Sequence, residues 1–223
     1  MRTLPVAAIP TLALALAVAP AGALADKDPT ARRTFTFEDG KSGAPPAEFS
    51  FGRTGSGKQG RWAIVADPSA PSGKQVLAQL DADRTDYRFP VAVAAAPLLA
   101  DGRVAVKCKP VSGEVDQACG LVFRYIDAGN YYVTRANALE GNVRLYFVKD
   151  GKRHEIASWS GAVTAGAWHD YAVEFRGEHV QVSWDGAAVI HHADRTFAKP
   201  GKVGLWTKAD SVTYFDDLVA EPL

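Results

Sequence analysis

Residues 130–149 read NYYVTRANALEGNVRLYFVK, and this stretch decides the fold. On both sides of a turn at 140–142, apolar or aromatic side chains recur at every second position, which is the period of a β-strand. In the second half, Val143, Leu145 and Phe147 face the expected core, and polar side chains alternate with them. The stretch therefore predicts two antiparallel strands joined by a tight turn.

The same alternation runs through the whole chain, from TFTFE at 34–38 to SVTYFDDLVA at 211–220. Turn pairs such as Asp150-Gly151 and Asp185-Gly186 separate the runs, and these residues tolerate the positive φ that hairpins need. We find no segment of ten or more residues with a 3.6-residue period. About a dozen short strands without a helical layer predict an all-β fold, an antiparallel β-sandwich.

The N-terminal 25 residues predict a signal peptide. An Ala/Leu/Val run follows Arg2 and ends at Ala23-Leu24-Ala25, which places the cleavage site before Asp26. A membrane anchor is the weaker interpretation, because two prolines interrupt the run. We therefore expect an exported protein, periplasmic or extracellular, with residues 26–223 as one domain and no later membrane span.

The two cysteines, Cys108 and Cys119, are most simply a disulfide in an exported chain. The alternative is a pair of free thiols that serve a metal or redox site. Their spacing is not the close C-x-x-C of such sites, and further ligands are missing around them.

The balance of charges and one stretch that resembles a phosphate loop bear on whether the protein binds nucleic acid or nucleotides. The chain has 25 basic and 25 acidic residues, which argues against nucleic acid as the main partner. Residues 52–59, GRTGSGKQ, approach a phosphate loop, but Gln59 stands where a Ser or Thr should bind magnesium. A strand-like run follows at 60–65 instead of a helix, so we expect an inter-strand loop and no nucleotide.

Three carboxylates are catalytic candidates. Glu114 and Asp116 lie in EVDQAC, which approaches the E-x-D-x-x-E strand of family 16 glycoside hydrolases. Cys119 stands where the second glutamate should be, and retaining cleavage needs a second carboxylate close by. A solvated hairpin tip is the plainer interpretation, and Glu140 is the third candidate. The five histidines lack the spacing of a zinc site.

Strand parity predicts a ligand-binding face. If the strands around the opening stretch share one sheet, aromatic and hydrogen-bonding side chains gather on its outer side, as a shallow carbohydrate site requires. An ordinary solvated sheet face is the alternative. The predicted residues are Arg124, Arg135, Asn137, Arg144, Tyr146, Trp206 and Lys208.

From about Thr34 to the C-terminus, the chain resembles bacterial exported proteins of the concanavalin A-like lectin/glucanase superfamily. The motifs that carry the resemblance are NYYVTRANALEGNVRLY and GKVGLWTKADSVTYFDD. The group it resembles most is described as 3-keto-disaccharide hydrolase-like, or family 16 glycoside hydrolase-like and laminin G-like.

The resemblance implies a jelly roll of two curved sheets with a carbohydrate or oligosaccharide ligand on the concave face. It leads us to expect a non-catalytic glycan-binding domain. The alternatives are a hydrolase of the keto-disaccharide type and a protein-interaction module of the cell envelope. No cofactor is required, but the resemblance implies a possible structural Ca²⁺ where the first and last strands meet. The matching positions are Glu38, Asp39, Asp216 and Asp217.

Overall fold

The computed structural model describes Asp28 and residues 30–223. The predicted signal peptide, residues 1–25, lies outside this range and remains a prediction. Within the described part of the chain, no helix has the length and apolar character needed to cross a bilayer.

The prediction of an all-β fold is confirmed. The described residues form fifteen β-strands, a few more than the alternation predicted, and no α-helix. The strands are β1 (Arg33–Phe35), β2 (Phe49–Gly55), β3 (Trp62–Ala66), β4 (Gln75–Gln79), β5 (Arg88–Ala94), β6 (Gly102–Ser112), β7 (Ala118–Asp127), β8 (Asn130–Asn137), β9 (Asn142–Lys149), β10 (Lys152–Ser160), β11 (His169–Arg176), β12 (His179–Trp184), β13 (Ala187–Ala193), β14 (Lys202–Trp206) and β15 (Val212–Pro222).

The strands form two antiparallel sheets that pack face to face. The eight-stranded sheet has the order β13-β12-β11-β6-β15-β4-β3, and β1 also pairs with β15. The seven-stranded sheet has the order β10-β9-β8-β7-β14-β5-β2. The first strand therefore pairs with the last one, which joins both ends of the described chain within one sheet.

The opening stretch forms the hairpin β8–β9 with the predicted parity. Val133 lies opposite Tyr146, and Val143 and Leu145 are fully buried between the sheets. The next connection, Asp150-Gly151, has positive φ at both residues (51° and 74°). This is the geometry that an Asp-Gly hairpin turn adopts.

Aromatic rings from both sheets interlock in the core. Phe123 stacks on Tyr132 within the seven-stranded sheet at 5.1 Å between ring centroids. Phe123 also stacks at 4.8 Å on Phe175 of the opposite sheet. The Tyr171 hydroxyl of the eight-stranded sheet reaches the Thr134 hydroxyl at 2.7 Å. Each buried aromatic side chain contributes about 2 kcal/mol through removal from water.

The disulfide prediction is confirmed. Cys108 on β6 is bonded to Cys119 on β7, and the described residues include no free cysteine. Because β6 and β7 belong to different sheets, the bond ties the two layers together. Both cysteines are fully buried.

The glycine-rich stretch at 52–59 is a connection between strands, as predicted. It completes β2 and continues as a loop toward Trp62, where β3 begins. Gly55 has φ +80°, and a Cβ there would lie 2.0 Å from the carbonyl oxygen of Tyr87. The amide of Ser56 donates to that same oxygen at 2.9 Å. The absence of a side chain at Gly55 therefore allows the loop to come close enough to Tyr87 to form this hydrogen bond.

We predict that the double variant Cys108→Ala/Cys119→Ala unfolds more easily than the natural protein. Loss of a cross-link between residues 11 apart lowers the free energy of unfolding by about 3 kcal/mol. Urea denaturation measures the difference. A reducing agent should destabilise the natural protein and leave the double variant unchanged, and equal stability of both proteins without reductant would contradict the prediction.

Candidate functional site

Five of the seven predicted ligand residues share one face of the seven-stranded sheet. Cross-strand pairing puts Arg135 opposite Arg144 on β9 and opposite Gly120 on β7, and Gly120 in turn pairs with Trp206. This face points away from the core between the sheets. The five residues are Arg135, Asn137, Arg144, Tyr146 and Trp206, and Lys208 lies just beyond the end of β14.

The face is strongly concave. Arg153 on β10 lies with its guanidinium carbon 4.7 Å from the ring centroid of Phe89 on β5. Four strands separate β10 from β5 in the sheet, and in a flat sheet they would lie about 24 Å apart. The Tyr87 hydroxyl also accepts a hydrogen bond from the Arg153 amide at 2.7 Å. The sheet must therefore curl until these two regions meet over its outer face.

A second apolar cluster fills the centre of this face, and this corrects the predicted stacking surface. Trp206 is fully buried, and Tyr146 is 3% exposed. The Trp206 ring stacks on Phe89 at 5.1 Å, and its Nε1 donates to the Tyr131 hydroxyl at 3.3 Å. The guanidinium of Arg153 covers the Tyr146 ring at 4.5 Å. Neither ring presents a free face for a sugar, because the curl closes over them.

At the edge of this cluster lies a group of charged and amide side chains that we call the polar cluster. Its members come from the turn before β7, from the β8–β9 hairpin and from the residues after β14. They are Asp116, Arg135, Asn137, Glu140, Asn142, Arg144 and Lys208.

Asn137 joins the two carboxylates of the polar cluster. Its Nδ2 donates to Asp116 Oδ1 at 2.7 Å and to Glu140 Oε1 at 3.1 Å. Because both oxygens accept from one nitrogen, they lie within about 6 Å of each other, given ordinary hydrogen-bond lengths. Asp116 is fully buried, whereas the Glu140 side chain is 35% exposed.

Three cations surround these carboxylates. Arg135 Nη2 lies 2.7 Å and Arg144 Nη2 lies 3.4 Å from Glu140 Oε2. Lys208 Nζ lies 2.7 Å from Asp116 Oδ2. The Nε atoms of Arg135 and Arg144 are buried and have no hydrogen-bond partner within the described part of the chain. The cluster thus retains unused donors, and Arg144 is about one-third exposed.

The two carboxylates differ in acidity. Burial raises the pKa of Asp116, and the hydrogen bond and charge of Lys208 offset this only in part. Burial would also raise the pKa of Glu140, but hydrogen bonds from Arg135 and Asn142 and the arginine charges lower it below its ordinary value. Glu140 is therefore the more firmly ionised of the two.

Asp210 fixes the turn that carries Asp116. Its carboxylate accepts the amides of Glu114 at 2.8 Å, of Val115 at 3.1 Å and of Asp116 at 3.0 Å. Three amides on one carboxylate stabilise its ionised form, and these bonds outweigh burial, so the pKa of Asp210 is lowered. Asp116 therefore stands on a rigid turn.

Two predicted site residues lie elsewhere, and we leave them out of the candidate site. Arg124 has φ +45° and donates to the carbonyl oxygens of Ala100, Phe197 and Gly177 at 2.8–2.9 Å. It thereby fastens loops at one end of the sandwich. Glu114 is on the surface, where it pairs with Arg84 at 2.8 Å and its side chain is 76% exposed.

The sequence interpretation missed Arg153 and Tyr87, and it placed Asn142 on the outward face without including it in the predicted site. A signal for Arg153 was present, because the two-residue turn Asp150-Gly151 fixes the register of β10 against β9. That register pairs Arg153 with Val148, on the same face as Tyr146. No comparable signal existed for Tyr87, which reaches this face only because the sheet curls.

The four predicted calcium ligands do not form one ligand set. The Ser72 hydroxyl donates to Asp217 Oδ1 at 2.7 Å, and its amide donates to Asp216 Oδ2 at 3.2 Å. Glu38 Oε1 accepts the amides of residues 74 and 75 instead, and Asp39 lies in the turn after β1.

Calcium takes six to eight oxygen ligands. Within the described residues, no three His, Cys, Asp or Glu side chains are placed to hold a metal. The arrangement does not fit a preformed calcium site, and a structural Ca²⁺ remains a prediction.

A groove of about 440 Å³ lies on the outer face of the eight-stranded sheet. Its charged side chains are paired with each other or with neighbours, such as Lys107 with Asp170 at 2.5 Å and Arg103 with Glu174 at 3.3 Å. We therefore place the candidate site on the concave face, where polar atoms remain without partners.

Comparison with known proteins identifies the fold. No protein-family model matches the chain, and no curated protein is significantly similar in sequence. Among solved structures, the carbohydrate-binding module CBM66 from Bacillus subtilis has a TM-score of 0.61 and 19% identity, covering 77% of this chain and 94% of that one. The exoplasmic/lumenal domain of VIP36, in a Ca²⁺/Man-bound form, has a TM-score of 0.56 and 12% identity over 79% and 83% of the chains.

The transglycosylase Crh5 has a TM-score of 0.56 and 14% identity, covering 87% of this chain and 85% of that one. These likenesses show a β-sandwich fold, and membership of the concanavalin A-like superfamily remains a prediction. The finer family assignment remains a prediction.

We predict that Asp216→Asn changes how stability depends on pH. Burial raises the pKa of Asp216 from 3.8 to about 6, so the folded state holds this proton more tightly than the unfolded state. The contribution of Asp216 to the free energy of unfolding is complete below pH 4. It is lost as pH rises through 6, by up to about 3 kcal/mol. The Asn variant does not titrate at this position, so its stability should not fall in this pH range for this reason. Urea denaturation of both proteins in EDTA from pH 4 to pH 7 measures the difference.

A pH-independent stability difference between the two proteins would contradict this expectation. Added Ca²⁺ provides a second arm at pH 7. If calcium recruits these carboxylates, it should raise the unfolding midpoint of the natural protein and leave that of the Asn variant unchanged.

Proposed function

We propose that the protein recognises a glycan with the polar cluster on its concave face. The observation that carries the proposal is the meeting of two carboxylates, two arginines and a lysine around Asn137. Part of this group reaches solvent, because Glu140 and Arg144 are each about one-third exposed.

The chemistry of the cluster suits sugar hydroxyls. A hydroxyl both donates and accepts, so a carboxylate oxygen and a guanidinium N–H can bind the same or adjacent hydroxyls. Charged partners make such hydrogen bonds about twice as strong as neutral ones. Since Trp206 and Tyr146 are covered, recognition in this cluster depends on polar contacts rather than on stacking over these rings.

The structural comparisons support a carbohydrate ligand. Two of the similar solved structures carry carbohydrate in their names, one as a carbohydrate-binding module and one in a Man-bound form. The fold hosts other functions too, so the polar cluster and not the fold is the stronger argument.

We predict that Glu140→Gln and Arg144→Gln each weaken glycan binding by at least tenfold. Each substitution removes one charge from the group that would hold the sugar hydroxyls, and a charge-assisted hydrogen bond contributes about 1.5–3 kcal/mol. Calorimetric titration with the best ligand from a glycan array measures the change, and thermal unfolding verifies that each variant is folded.

Glu114→Gln and Arg84→Gln are the matched controls, because this exposed ion pair lies outside the cluster. Both should bind as the natural protein does. The proposal fails if the array yields no ligand at millimolar concentration, or if the control variants lose as much affinity as the cluster variants.

Hydrolysis of a glycosidic bond is the second candidate. Asp116 and Glu140 have oxygens within about 6 Å of each other, near the spacing of about 5–5.5 Å in retaining glycosidases. The pKa of Asp116 is raised and that of Glu140 is lowered, which is the division between a proton donor and a nucleophile. The full burial of Asp116 and its bond to Lys208 place this candidate second.

The same variant separates the two candidates. A hydrolase would release new reducing ends from its glycan, and Glu140→Gln would abolish that release. A binding protein would release none with either protein.

We also propose that the protein is exported and that residues 26–223 form one domain. The disulfide supports export, because such bonds persist in oxidising compartments. The mass of the secreted protein would reveal whether it begins at Asp26.

A further inference from the structure

Arg153 is an unusual cation on the concave face. Its guanidinium carbon lies over three aromatic rings, at 4.7 Å from Phe89, 4.5 Å from Tyr146 and 6.0 Å from Trp206. Its Nη1 is buried and has no hydrogen-bond partner within the described part of the chain. Stacking on aromatic rings offsets some of the cost of burying a cation, but it leaves the N–H groups without acceptors.

The three cations of the polar cluster are all paired. Arg135 and Arg144 contact Glu140, Arg144 also contacts Glu155 at 3.2 Å, and Lys208 contacts Asp116. Arg153 alone among these four cations has no carboxylate within 4.0 Å in the described chain. A partly buried guanidinium that lacks both an anion and acceptors is suited to receive both from a ligand.

Arg153 is accessible to such a ligand. The residue is partly exposed, and no side-chain hydrogen bond among the described residues holds its guanidinium in one orientation. Only its backbone is fixed, by the bond from its amide to the Tyr87 hydroxyl. A carboxylate that approaches the exposed part of the guanidinium therefore displaces no side-chain hydrogen bond of the described residues.

Tyr87 provides an open aromatic surface beside Arg153. It is 41% exposed, the most exposed aromatic side chain of this face, and its ring meets Phe89 edge-on at 4.6 Å. Its neighbour in the chain, Asp86, contacts Lys208 of the polar cluster at 3.0 Å. Tyr87 and Arg153 thus border the polar cluster, and a sugar bound there has both within reach.

We propose that the glycan recognised on this face is acidic and that Arg153 binds the carboxylate of a uronic acid residue. The inference rests on the proposed function and names its substrate class. The planar fork of a guanidinium matches a carboxylate with two parallel hydrogen bonds. Tyr87 packs against the sugar ring, and the polar cluster binds the hydroxyls of the neighbouring unit.

The test compares acidic oligosaccharides with neutral partners of the same shape. The probes are trimers of galacturonate and of mannuronate, each alongside its methyl ester, which removes the charge and keeps the ring. We expect the natural protein to bind at least one acidic trimer ten or more times more tightly than the ester. This preference should shrink as salt concentration rises, because the added contact is ionic.

Variants assign the preference to Arg153. Arg153→Met should bring the ratio of acid to ester affinity close to one, and Arg153→Lys should retain part of it, because the charge stays while the fork is lost. Arg176→Gln, an exposed arginine on β11 of the other sheet, is the matched control and should keep the full ratio. If Arg153→Met fails to fold, the Lys variant and the comparison of acid with ester still show whether Arg153 causes the preference for the acid.

The outcomes separate this inference from the proposed function. Equal binding of acid and ester, or tight binding of neutral glycans only, overturns the acidic ligand and leaves glycan recognition standing. A ratio that persists in both Arg153 variants overturns the role of Arg153. Absence of binding to every glycan overturns the inference and the proposed function together.

Discussion

The contact of Arg153 with Phe89 and Tyr146 is the interaction on which the architecture of the site depends. It joins β10 to β5 across four intervening strands, and this contact requires a strong curl of the seven-stranded sheet. Sheets curl readily because their strands are twisted. The curl changes what each outward side chain does, because Trp206 becomes part of a second apolar core instead of a surface.

A sandwich with a second core has two separate stabilising layers. The layer between the sheets contains the disulfide and the stack of Phe123 with Phe175. The layer on the concave face contains Trp206, Phe89 and Arg153. At the edge of the second layer, several buried polar atoms have no hydrogen-bond partner among the described residues. We expect ligands to bind at this edge, because they can supply the missing hydrogen bonds.

The sequence predicted some parts of the candidate site and missed others. Strand parity placed Arg135, Arg144 and Tyr146 on one face, because neighbouring β-hairpins share register through short turns. It failed for Arg124, because a bulge with positive φ turns that side chain toward the end of the sandwich. It also could not foresee Tyr87, which reaches the site only through the curl.

The sequence by itself determined the all-β class, the pairing of the cysteines and the direction in which each side chain of the β8–β9 hairpin points. These depend on local rules, a two-residue period and short turns. Only the tertiary structure decided which outward side chains stay open to solvent. That depends on contacts between strands far apart in the chain, such as β5 with β10, and alternation within one strand contains no information about such contacts.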